Sequence, residues 1–141
     1  MNCTASCLAD IGLTPAHLMQ LAFAAFAAVL FLQSSLDKLF NWKSEKEYYT
    51  THFSKSILNG SVPLLMPTIT LMEFAAGLFS ALGFGQVLLT GNTGLGTVGM
   101  LSAVIALIML FFGQRMAKDY GGAAVLVPYF LMATAGLYFF L

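Results

Sequence analysis

The sequence predicts an all-α, polytopic membrane protein: a bundle of four transmembrane helices with a short amphipathic helix between the first and the second. Three observations lead there. Of the 141 residues, 59% are hydrophobic and 9% charged, where a soluble domain carries about 25% charged residues. The apolar residues gather into runs near the roughly 20 residues that a helix needs to cross a hydrocarbon core. None of these runs alternates, which excludes a barrel, so their backbone groups must be paired within helices.

Membrane helices are expected at about 16–38, 64–89, 95–113 and 122–141, forming one domain over 1–141. The first opens at Thr14-Pro15, a cap residue followed by a proline suited to the first helical turn. No cleavable signal is expected, because no Lys or Arg precedes this run, which reads as an anchor that stays. The second run, from Leu64 to Leu89, contains Glu73, the lone acid within the long apolar runs. A charge near mid-membrane costs about 2.5–3.5 kcal/mol on insertion scales, so such a residue faces protein or water. Gly77, Ala81 and Gly85 follow at four-residue steps and predict a smooth packing face. The third run follows a tight Thr90–Gly94 turn, and the fourth contains Pro128, where a kink is expected.

Between the first two membrane helices, Ser44-x-x-Glu47 has the form of a capping box and Asn59-Gly60 that of a helix stop. Tyr49, Phe53 and Ile57 recur at four-residue steps, which predicts an amphipathic helix at the membrane surface. All six Lys and Arg residues lie in the first and third connections or at their edges. This bias places those connections in the cytoplasm and both termini on the outer, periplasmic side.

Scattered basic residues and zero net charge exclude a nucleic-acid partner, which needs a concentrated basic face. The lipid bilayer is the partner expected instead. Cys3 and Cys7 are neither a C-x-x-C pair nor part of a zinc set; free thiols and a mutual disulfide both stay open. Asn2-Cys3-Thr4 and Asn59-Gly60-Ser61 match the short sequon pattern, which says little without a secretory source. His17 and His52 fall on opposite sides of the membrane, so no metal site is expected. Eight methionines spread through apolar runs read as gap-fillers. Gly94-x-Gly96-x-x-Gly99 matches a dinucleotide fingerprint, but it lacks the preceding strand and reads as a turn plus helix packing.

The candidate site is therefore polar and intramembrane: Glu73 with Lys38, Asp37, Gln33 and Arg115. Lys38 and Arg115 close their helices on the side from which Glu73 lies roughly 10–14 Å inward. Two readings stay open, a structural pair fixing helix register and a cleft for a quinone ring or a lipid.

Leu36-Asp37-Lys38-Leu39-Phe40 resembles the G-x-x-K-L/F signature of DoxX-like membrane proteins, with Ser34 or Ser35 where the glycine is usual. Glu73-x-x-x-Gly77 followed by Gly83 resembles that family's second motif, and chain length and helix layout agree. The resemblance implies a four-helix protein of the bacterial inner membrane. It also implies a small accessory subunit of a quinone-linked respiratory or redox complex, partnered by other membrane subunits, with Glu73 as the family's acid and Lys38 as its basic residue. It brings no catalytic assignment, and the expectation is a non-catalytic subunit with no covalent or metal-held cofactor. The alternative is a proton-coupled transporter or channel using Glu73.

Overall fold

The computed structural model describes residues 3–141, with side chains from Ser6 onward. Six helices follow one another: α1 (Cys3–Asp10), α2 (Pro15–Phe40), α3 (Trp42–His52), α4 (Val62–Thr90), α5 (Gly94–Met116) and α6 (Tyr120–Phe140). Four of them, of 26, 29, 23 and 21 residues, are apolar enough to cross a membrane. At 1.5 Å per residue each exceeds the roughly 30 Å hydrocarbon core. The four-helix expectation holds, and α1 is an element that the apolar pattern did not indicate.

Local chemistry explains the ends. Thr14 caps α2: its Oγ1 accepts from the His17 amide at 3.2 Å, and its own amide donates to His17 Nδ1 at 3.3 Å. Histidine thus fills the role that glutamate plays in the usual capping box. Gly91, at φ 69°, closes α4 in the left-handed conformation that glycine adopts without a Cβ penalty. Asp119 caps α6 by accepting from the Gly122 amide at 2.9 Å. The helix assignment of α6 is unbroken through Pro128, and that of α4 through Pro67.

The connecting helix differs from expectation. It begins at Trp42, directly after Asn41, and Ser44 is not its cap; Asn41 holds that position without a side-chain capping bond, its side-chain amide donating back to the Asp37 carbonyl instead. It ends at His52, well before Asn59-Gly60. Beyond that end, Ser54 and Ser56 hydroxyls donate to the carbonyls of Thr51 and Phe53 at 2.7 and 3.0 Å. These short-range bonds favour turns over further helix. Tyr49 and Phe53 turn toward the bundle, but the break leaves Ile57 81% exposed.

Helix α4 is the spine, packing extensively on both α2 and α5, while α5 continues onto α6. The α4 stripe facing inward is Val62, Met66, Thr70, Glu73, Gly77, Ser80, Gly83 and Val87, and its outward residues include Leu64, Leu71 and Leu82. In lipid the interior is marked by small and polar residues rather than by hydrophobicity, because the outside is apolar too. Gly77 meets α2, where an added Cβ would come within 2.6 Å of the Leu32 backbone nitrogen. Gly83 lies against Gly96, and Gly99 against Ser80, so these small residues seat α4 on α5. The expected Gly77–Ala81–Gly85 face is only partly right: Gly85 has nothing near its Cβ position and Ala81 is half-buried. Two neighbours on different sides pull the contact stripe into steps of three as well as four.

Candidate functional site

Helix α2 presents Ser34 and Lys38 one turn apart on its inward face, opposite Glu73 of α4. Lys38 Nζ lies 2.9 Å from Glu73 Oε2. Ser34 donates its hydroxyl to Glu73 Oε1 at 3.0 Å, and Lys38 Nζ donates to Ser34 Oγ at 2.9 Å. The Lys38–Oε2 approach is an ion contact off hydrogen-bond alignment, since Oε2 accepts no hydrogen bond. Lys38 is 6% exposed and Glu73 1%. The costly acid is thus met by a cation and a hydroxyl within the protein.

The remaining residues of the expected cluster do not join it. Gln33 and Asp37 precede Ser34 and Lys38 by one position, which on a helix is a turn of about 100°, and both are exposed on the outer face. Arg115 is exposed as well, and its guanidinium sits 4.6 Å from the centre of the Tyr120 ring. Ser34, by contrast, entered the sequence reading only as a glycine replacement. Its position four residues before Lys38 was the available signal, because i and i+4 share a helix face.

Chemically, this triad holds rather than reacts. A serine nucleophile needs an adjacent base and room for a substrate. Lys38 is committed to a carboxylate, and both charged groups are buried between α2 and α4.

A second feature lies where α4 and α5 diverge, away from their glycine contacts. A cavity of about 180 Å³ opens between them, roofed by Tyr49 and Phe53 and walled by Met66, Ile69, Leu110 and Gly113. Burial, together with the nearby charges of Glu45 and Glu73, pushes the Tyr49 phenol up to about 12. His52 tethers the roof through a 2.8 Å bond with Gln114, with Asp119 3.8 Å away.

His17 lies beside Gly91 at the other end of the bundle, so the two histidines are far apart. Among the described residues no group of His, Cys, Asp and Glu is placed to hold a metal. Cys7 is a free, exposed thiol; the Cys3 side chain, and with it the disulfide question, lies outside the described residues. The Gly96 and Gly99 positions of the fingerprint-like motif are occupied by helix contacts to Gly83, Phe140 and Ser80.

Comparisons with known protein families, with curated proteins and with solved structures found no match.

Proposed function

We propose that this chain is a small, non-catalytic integral subunit of a quinone-linked redox complex in the bacterial inner membrane. In this reading the Ser34–Lys38–Glu73 triad locks α2 to α4, and the bundle offers partner subunits a rigid wall that a quinone or lipid can contact. The observation that carries it is the buried Lys38–Glu73 pair on one side of α4 with an apolar cavity on another. The DoxX-like order of motifs supports the same reading. The basic residues lie at the ends of α2 and α5, in α3 and the turns after it, and in the α5–α6 connection, which supports a cytoplasmic position for that end and periplasmic termini.

Proton relay through Glu73 draws no support from a carboxylate that is 1% exposed and already paired. Affinity purification of the tagged chain from its native membrane in a mild detergent tests the proposal. Co-purification of cofactor-bearing membrane subunits, with quinone in the extract, is expected. Recovery of the chain alone, free of quinone, would refute it.

A further inference from the structure

The α4–α5 cavity has a shape and a setting that identify an occupant. Its α4 wall runs from Val62 to Ile69, roughly 10 Å along the helix axis at 1.5 Å per residue. It is a slot parallel to the helices, and so to the bilayer normal along which lipid chains run. The side walls are carbon, and the only polar residues among those lining it, Tyr49 and Gln114, belong to its α3 end. Gln114 Oε1 accepts from the His52 ring Nε2 at 2.8 Å, so this side chain is already tied to α3. Leu65, Ile69 and Met109 are half-buried and Phe112 is 53% exposed, so the slot leads sideways to the outer, lipid-facing surface. On the side facing water, α3 closes it: Phe53 Cζ reaches to 3.5 Å from the position a Gly113 Cβ would take. A larger residue at 113 would fill the space that the glycine leaves.

The geometry points to this slot as a binding site for the upper segment of one phospholipid acyl chain from the leaflet at the α3 end. An apolar void forfeits dispersion contacts on its empty side, and such voids take up hydrocarbon when it is within reach. Here the surrounding solvent is itself hydrocarbon. The α3 end of the slot lies at the end of α5, where the bilayer passes from chains to ester groups. There the Tyr49 hydroxyl is a donor at the level of the ester carbonyl. This inference does not depend on the redox-subunit proposal.

Photolabelling of the whole chain in phosphatidylcholine nanodiscs tests it, using a phosphatidylcholine with a diazirine on one acyl chain near the ester. Adducts are expected on Met66, Ile69, Met109 and Leu110, several-fold above those on Leu64 and Ile108, which face outward at the same depth. Gly113→Leu and Ile69→Trp, each checked for helicity and monodisperse elution, should bring slot labelling down to the outward level. Equal labelling of slot and outward residues in the unaltered chain overturns the inference, whatever the variants do. So does slot labelling that survives filling. Native mass spectrometry showing quinone in place of phospholipid overturns the acyl assignment but spares the redox proposal. Slot labelling in a chain that purifies without partners or quinone does the reverse.

Discussion

Lys38→Met is the perturbation that tests the triad most directly. Two unit charges at the observed 2.9 Å attract with a gross energy of about 6 kcal/mol at an effective dielectric of 20. Desolvation of both groups offsets much of this, so the pair itself adds little over a well-packed apolar pair. Removing one partner is different. Glu73 is central in α4 and 1% exposed, so it cannot reach water once Lys38 is gone, and Ser34 alone remains to meet it. Breaking a buried pair costs about 3–5 kcal/mol, and the lower part of that range is expected here because unfolded helices still in the membrane find partners.

Glu73→Gln should cost less, about 1–3 kcal/mol. Glutamine keeps an acceptor for Ser34, and Lys38, near the last turn of α2, can swing its amine toward the interface. Lys38→Met combined with Glu73→Leu should recover most of the Lys38→Met loss. Reversible unfolding by SDS in mixed micelles of the parent, Lys38→Met, Glu73→Leu and the double variant gives the four corners of a double-mutant cycle, with an expected coupling of about 2–3 kcal/mol. A Lys38→Met variant within about 1 kcal/mol of the parent, or losses that simply add, would sink the argument.

Three further outcomes follow from the same contacts. Gly83→Ala places a methyl against the Gly96 backbone and should destabilise by about 1–3 kcal/mol, whereas Gly85→Ala meets open space and should be close to neutral; the same SDS titration separates them. The raised Tyr49 phenol contributes stability that is complete below pH about 10 and lost as pH rises toward about 12. Tyr49→Phe should remove that part of the alkaline loss in unfolding measurements across the range, and an unchanged alkaline profile would contradict the assignment. His52→Ala removes the tether to Gln114, so hydrogen exchange over residues 42–52 should quicken by roughly fivefold, the equivalent of about 1 kcal/mol; unchanged protection would show that packing alone holds α3.

The sequence by itself determined the fold class and the four spans. These depend on local quantities: run length, hydropathy and caps such as Thr14-Pro15. It also singled out Glu73 and Lys38, because a charge in an apolar run is conspicuous without any neighbour being known. What it left undetermined is which way each helix faces. With lipid outside and apolar residues all round, α4 has almost no hydrophobic asymmetry to read. Only packing against both α2 and α5 turned Gly83 inward and left Gly85 in the open. For the same reason Ser34 joined the acid while Gln33, Asp37 and Arg115 did not, since one residue's step around α2 separates the buried side from the outside. The cavity was not legible at all. Its lining comes from α4, α5 and the segment around α3 together, and a gap between helices belongs to no one sequence segment alone.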